Sequence, residues 1–490
     1  MRPTLVIALI IASAAGSLGA DRPIPQDGAR MQKRSRDRLV WNRLTLRGAY
    51  DRIGEKDPRW DGAAREALDL AARMFSQQVD PVVTLAEIHV AAKKAVDAGC
   101  KDPMILYLYA RSSVEANFPQ QEEYARRIQA AADAMSAGKS SPYRRAVAGQ
   151  MALELRAWKK DPTPEEKLEV QQGLDALVDL LPRSIAEDAR NEDWEVGWFT
   201  TLDSIIALQR KAGGDYKAAY DRVDAKLAKI PGIEALRLTV RGQFQIHWGW
   251  EARSTAFAHA VTEEQFRLFD ARLRDARDAL NAAWEAKPGA PEVAKLMLTV
   301  EKAIGGGDRE AMETWFERAM TTDGNDQDAC WSKLDWLDPK WHGGDSPDEM
   351  MAFGKACRAT KNWQAGITLL AANVHLRYYI MLRPGERAPY MSSPEVWSEI
   401  EAVYDEYLKH YPRDREARSK YAVLCFLATH YPEAHAQFQA LGDGFIRWTS
   451  FPTFTLESIQ RMREDAAKVV GGKAHPEGAT APKGDGRPNP

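Results

Sequence analysis

Asp335 and Asp338 stand three positions apart among three indoles, Trp331, Trp336 and Trp341. Two acids beside large rings are what glycoside cleavage needs, provided the carboxyls sit roughly 5 to 9.5 Å apart across a sugar. The chain holds 70 acidic residues, so some lie beside aromatics by chance. The simpler expectation is two solvated Asp side chains and Trp rings that fill a joint between helices. In the same connector, Trp336 to Asp345, the residues Lys340, Trp341 and His342 set a cation, a large ring and a titratable donor side by side. Loops that project from a rigid scaffold are a common place for binding residues. Trp336, Lys340, Trp341 and His342 are therefore the candidate partner-binding residues.

Other chemistry-bearing patterns are missing from the sequence. The nine His include no H-E-x-x-H; His430 and His435 are five apart with Pro432 between them, which does not aim two imidazoles at one ion. Gly305, Gly306 and Gly307 follow no strand-like run and precede no Lys-Ser or Lys-Thr, so they read as a turn, not a phosphate cradle. No G-x-S-x-G marks a hydrolase elbow. Cys100, Cys330, Cys357 and Cys425 contain no C-x-x-C, which argues against a zinc ribbon or a thioredoxin-like site. Four cysteines allow three pairings. Cys330 and Cys357 flank one connector, so a bridge there stays open, while four buried thiols acting as small apolar residues is the favoured expectation. No catalytic residue, metal or cofactor is assigned. With 67 basic against 70 acidic residues the net charge is −3, leaving no large positive field for a phosphate backbone and excluding a nucleic-acid partner.

What must position these residues is helical. In Thr262 to Pro288 the residues Phe266, Phe269, Leu273, Ala276, Leu280 and Ala283 recur at steps of three and four, one apolar stripe with Arg and Asp opposite. Thr262 and Gln265 form a capping box and Pro288 closes the segment. Ala63 to Phe75, Leu85 to Ala98 and Gln120 to Met135 carry the same periodicity, and strand-like alternation is almost absent. Proline marks helix starts: Thr163-Pro164-Glu165-Glu166, Ser346-Pro347-Asp348-Glu349 and Ser393-Pro394. Ala276, Leu280 and Ala283 before Pro288 reappear 36 positions on as Met312, Phe316 and Ala319 before Gly324. Ile400, Tyr404 and Tyr407 before Pro412 reappear 34 on as Ala434, Phe438 and Leu441, and an earlier copy has Ala219 and Val223 with Lys226 third.

This small–aromatic–small spacing with a closing proline resembles tetratricopeptide repeats, helical hairpins of 34 residues. The resemblance covers Thr262 to Asp323 and Glu395 to Gly442; the repeat's Trp and Leu-Gly in the first helix are not met, and Tyr421-Ala422 comes nearest. Ala98-Gly99-Cys100-Lys101-Asp102-Pro103 and Leu337 to Gly344 further resemble segments of a bacterial family of exported, tetratricopeptide-like proteins, over much of 40–385. That likeness implies a helical-repeat fold and no assigned chemistry. The expected fold is all-α, a right-handed α-solenoid of irregular hairpins. The expected organisation is a signal peptide (1–20), a polar, solvated lead-in (21–40), an N-terminal helical region (41–160), two sets of repeats (161–345 and 346–470) and a disordered tail (471–490).

Arg2, the apolar run Leu5 to Ala15 and small residues to Ala20 read as a secretory signal cleaved near Gly19 or Ala20, since eleven helical residues span only ~16 Å. The mature chain is expected to be periplasmic or secreted, with no stable membrane insertion. The apolar stretch Ala365 to Leu382 carries His375 and Arg377 and reads as a buried helix. The 15 Trp are expected to wedge between helices or line a groove. The expected function is a non-catalytic scaffold that binds a protein or peptide in the bacterial envelope; the alternative is an exported glycoside hydrolase or lyase on an α/α toroid.

Overall fold

The computed structural model describes residues 22–76, 83–113, 121–159, 161–187, 194–254, 260–304, 306–344, 346–442 and 454–472. The expected export signal and the tail from 473 onward lie outside the described residues. Among the described residues all regular structure is helical. The first helices are α1 (Gly28–Thr45), α2 (Arg47–Ile53), α3 (Asp61–Phe75), α4 (Leu85–Asp97), α5 (Pro103–Ser112), α6 (Gln121–Ala137) and α7 (Pro142–Ala157). The middle holds α8 (Pro164–Glu187), α9 (Trp194–Lys211), α10 (Tyr216–Leu227), α11 (Glu234–Arg253), α12 (Glu263–Ala286), α13 (Pro291–Ala303) and α14 (Arg309–Thr322). The remainder is α15 (Gln327–Trp336), α16 (Asp348–Ala359), a 3-10 turn (Ile367–Leu369), α17 (Leu370–Met381), α18 (Pro384–Met391), α19 (Pro394–His410), α20 (Arg415–Leu427), α21 (Tyr431–Leu441) and α22 (Leu456–Val470).

The local start signals act as their chemistry dictates. At α12 the Thr262 hydroxyl accepts from the Gln265 N–H, and the Gln265 amide oxygen accepts from the Thr262 N–H. Thr163 and Glu166 make the same exchange at α8. At Ser346-Pro347-Asp348-Glu349 the helix starts as expected, but no capping box forms. Pro347 takes the cap position, the Ser346 hydroxyl accepts from the Asp348 N–H, and Glu349 turns away to pair with Arg309 at 2.7 Å. A guanidinium is a stronger partner for that carboxylate than a backbone N–H.

The periodic residues are the core. Ala276, Leu280 and Ala283, then Met312, Phe316 and Ala319, then Ile400, Tyr404 and Tyr407, then Ala434, Phe438 and Leu441 are all buried. In the earliest copy Leu227 fills the third place and Lys226 points outward to Asp179. Phe266, expected on the α12 stripe, is 40% exposed. It lies in the first turn of α12, beside the connection from α11, where the Arg253 guanidinium faces its ring at 5.8 Å.

Buried apolar residues form four cores in chain order, each handed to the next within a helix rather than at a loop. Ala148 belongs to the first core and Ala146 to the second, both on α7. Phe244 and Ile246 divide the second and third on α11, and Leu370 and Ala371 divide the third and fourth on α17. From α1 to α15, and again from α16 to α22, successive helices pack on each other, and α7, α9, α11, α13 and α15 also pack each on the next of that series. Each core thus shares a helix with the next in sequence, while Ile24 from the N-terminal end joins the third.

The lead-in differs from expectation. Residues 28–45 are helix α1, and Arg34 is buried. Its guanidinium donates to the Thr322 carbonyl at 2.9 Å and lies 3.5 Å from the Asp323 carboxylate, which Arg38 also meets at 3.1 Å. Gln26 donates to the Gly324 carbonyl and accepts from Asn362. The basic residues that read as a solvated run are spaced one turn apart, so Arg34 and Arg38 share one face and clamp the α14–α15 turn. At the other end of the chain, Arg413 pairs with Glu87 of α4 at 3.0 Å. All four cysteines are free and buried, and no described helix is long and apolar enough to cross a membrane.

Candidate functional site

The connector is wound tightly against the scaffold. Trp336 and Asp338 are buried, Trp341 and His342 are half-buried, and Lys340 is exposed; Asp345 lies outside the described residues. The Asp338 carboxylate accepts from the Lys340 N–H and its carbonyl accepts from Trp341 and Gly343. Arg377 of α17 brings the two acids together: its Nη1 lies 2.5 Å from Asp335 and its Nε 2.6 Å from Asp338, while Lys302 adds a contact of 3.0 Å to Asp335. His342 meets the Lys302 carbonyl at 2.9 Å and packs 4.9 Å from the Trp336 ring. The two carboxylates are thus joined through one guanidinium, an ion-paired brace between the connector and α17. Of the four candidate binding residues, only Lys340 and the outer faces of Trp341 and His342 are offered to a partner.

The larger concavities lie elsewhere, in a run along α1. A cavity of about 530 Å³ opens between α1, α3, α5, α7 and α9; a second, of about 360 Å³, lies between α1, α13 and α15. They share Arg38 and Val196 as walls. A third of about 120 Å³ adjoins the second through Arg34, Pro291 and Glu292 and reaches Leu236 and Thr239 of α11. The helices that pack each on the next thus present a continuous line of hollows, with α1 laid along it.

The first cavity is walled by rings and guanidinium groups. Trp41, Phe75, Tyr107, Tyr143 and Trp194 line it with Arg38, Arg111 and Arg144, and no carboxylate is among its described lining residues. Arg144, buried, contacts the Asn42 amide oxygen and the Thr45 hydroxyl, and its guanidinium sits 4.9 Å from the Trp41 ring and 5.4 Å from Phe75. With the Tyr143 ring at 5.5 Å as well, the cation stands against ring faces on three helices. Tyr143 is wedged between Trp41 at 5.2 Å and Trp198 at 5.5 Å. Gly197 permits this: a Cβ there would lie 2.8 Å from the Tyr143 hydroxyl. Arg111 donates to the Tyr107 hydroxyl at 3.1 Å and stacks over Phe75 at 5.4 Å.

The second cavity is polar and acid-rich. Glu292, Asp323, Asp326 and Asp328 line it with Arg34, Arg38 and Lys295. Lys295 lies 3.0 Å from Glu292 and 3.7 Å from Asp326. Burial pushes the Asp326 carboxyl up to about 6, against the pull of Lys295 and of the Ala329 N–H that it caps. Burial pulls Lys295 down, but its acidic neighbours outweigh this and raise it. No described group of three or more potential ligands is arranged to hold a metal ion.

Sequence reasoning did not single out these residues, because no local pattern joins them. One signal was available: Trp41, Phe75, Tyr107 and Tyr143 are 34, 32 and 36 positions apart, one ring on each of α1, α3, α5 and α7. Comparison of the chain with protein-family models finds no match, and comparison with curated proteins finds none.

Proposed function

We propose that this chain is an exported, non-catalytic scaffold, a right-handed α-solenoid of tetratricopeptide-like hairpins whose inner face binds an unstructured peptide or the free end of another protein. The observation that carries the reading is the run of cavities along α1. It follows α1, aromatic and cationic at one end and lined by paired acids and bases at the other. A linear hollow of alternating character suits an extended chain better than a compact metabolite, and aromatic anchors in pockets supply most of the energy in such interfaces. The sequential cores support the solenoid, and the absence of a strongly basic field supports a protein partner over nucleic acid. The test is fluorescence anisotropy with labelled random-coil peptides on the full chain, repeated with Thr200→Trp, which fills the first cavity from an exposed position. Saturable binding that the substitution weakens supports the scaffold; binding that ignores it refutes the site.

One observation favours the carbohydrate-active alternative. Asp326, held near 6 beside Glu292 and Asp328, is the one described cavity carboxyl poised to give a proton near neutrality. Release of reducing ends from a polysaccharide panel, lost in Asp326→Asn, would establish that reading in place of the first.

A further inference from the structure

We propose that a separate site, on α12 and α14, binds an acidic sugar: a pyranose that lies on the Trp284 ring and whose anionic group is held by Arg318 and Arg30. The site is independent of the peptide-binding reading, and its walls are helices that none of the three hollows along α1 uses.

A depression of about 470 Å³ is lined by Trp284 of α12, by Thr314, Glu317, Arg318 and Thr321 of α14, and by Arg30 from the first turn of α1. That volume falls in the range of small-ligand sites. The Arg318 guanidinium stands 4.2 Å over the Trp315 ring and 5.3 Å from Trp284, and the two indoles meet edge to face at 5.5 Å. Trp315 is buried, so the cation rests on a fixed base before any ligand arrives. Arg30 comes from the opposite wall, its Nη2 3.3 Å from the point that a Cβ on Gly289 would occupy. The φ of +86° at Gly289 is a glycine conformation, and the missing side chain leaves the guanidinium its room. Among the described residues neither guanidinium has a hydrogen-bond or carboxylate partner.

Two unpaired guanidinium groups on one depression call for an anion. Glu317 decides what else that anion carries. It is exposed and also without a described partner, a carboxylate that accepts hydrogen bonds and repels a ligand with many negative charges. A ligand that satisfies all three must bring one anionic group together with hydroxyl donors. Thr314 and Thr321, both exposed, flank Arg318 on the same face of α14 and add hydroxyls that donate and accept. Half-buried Trp284 offers a ring whose electron-rich face attracts the polarised C–H bonds of a sugar. A sugar carrying a carboxylate or a phosphate has every one of these features. A fatty acid lacks the hydroxyls, a nucleic acid brings too much charge to Glu317, and a neutral sugar leaves both guanidinium groups unmatched.

The test is isothermal titration calorimetry on the full chain with glucuronic acid, its methyl ester, glucose 6-phosphate, glucose, acetate and inorganic phosphate. At least one of the two acidic sugars is expected to bind roughly tenfold tighter than glucose, the ester, acetate or phosphate, and the tighter of the two identifies the anionic group. Arg318→Gln is expected to remove that preference and Arg30→Gln to weaken it, with the far-UV spectrum of both variants retained. Thr200→Trp, in the first cavity, is expected to leave acidic-sugar binding as it is, so that this site and the peptide groove stand or fall separately. Equal binding of glucuronic acid, glucose 6-phosphate and the neutral sugars would overturn the proposal, as would acetate or phosphate competing as strongly as the acidic sugar. Unchanged affinity in Arg318→Gln, or no binding of either acidic sugar at millimolar concentration, would overturn it too.

Discussion

Replacing Asp326 by Asn is expected to stabilise the protein at neutral pH and to leave it unchanged in acid. Asp326 is 9% exposed, and burial raises its carboxyl from 3.8 to about 6. A group whose folded value lies above its unfolded value binds its proton more tightly in the native state. Below about pH 4 both states are protonated and the group has no effect. Between 4 and 6 the unfolded chain releases the proton while the native chain keeps it, so native stability falls as pH rises. Above 6 the full cost persists. About two units correspond to about 3 kcal/mol. Asn keeps an oxygen to accept from the Ala329 N–H, now at 3.0 Å, so the α15 cap survives. Lys295 loses a carboxylate at 3.7 Å but keeps Glu292 at 3.0 Å, and its pull on Asp326 is already contained in the value of about 6. The net expectation is about 3 kcal/mol of added stability at pH 7.5 and little near pH 4. Urea midpoints of the variant and the native sequence at both pH values decide it. An equal difference at the two pH values, or a loss at pH 7.5, would refute the reasoning.

Three further outcomes are expected. Lys333 is almost wholly buried, its ammonium 2.6 Å from Glu313 and 4.4 Å from the Phe316 ring, so Glu313→Gln strands a buried cation and is expected to cost about 3–5 kcal/mol. Combining Glu313→Leu with Lys333→Met is expected to recover most of that loss in urea unfolding, and a double variant as weak as the single would show the pair to be more than a balanced charge. Gly242 lets α11 approach α12, since a Cβ there would lie 2.5 Å from Leu280 Cγ; Gly242→Ala is expected to lose about 1–3 kcal/mol through overpacking, read from the melting temperature. The four thiols are expected to stay silent toward an aromatic disulfide reagent in native buffer and to react as four after denaturation, and a count of two would reveal a bridge.

The helices were legible because their periods and caps are local. Thr262 with Gln265, and Thr163 with Glu166, signal through three residues what they then do with their own hydrogen bonds. The twelve residues picked out by the recurring spacing lie buried because helical periodicity places them on the apolar face of each helix. What stayed hidden depends on partners distant in sequence. Nothing near Arg34 announces that Thr322 and Asp323 await it, so a basic run read as solvated became a buried clamp. Likewise Asp335 and Asp338 gave no sign of Arg377, some forty residues on, which turns a possible acid pair into an ion-paired brace. The cavity residues come from five helices, and only Trp41, Phe75, Tyr107 and Tyr143 among them share a spacing near 34.

The central claim is that a chain binds in the hollow along α1. The direct measurement is photo-crosslinking with a benzophenone side chain placed at Thr200, which lines the first cavity, and at Asp275, on the exposed face of α12. A peptide or protein adduct is expected from position 200 and not from 275, with mass spectrometry placing the crosslink in the partner's terminal segment. Adducts from position 275 alone, or a crosslinked sugar chain at position 200, would contradict it.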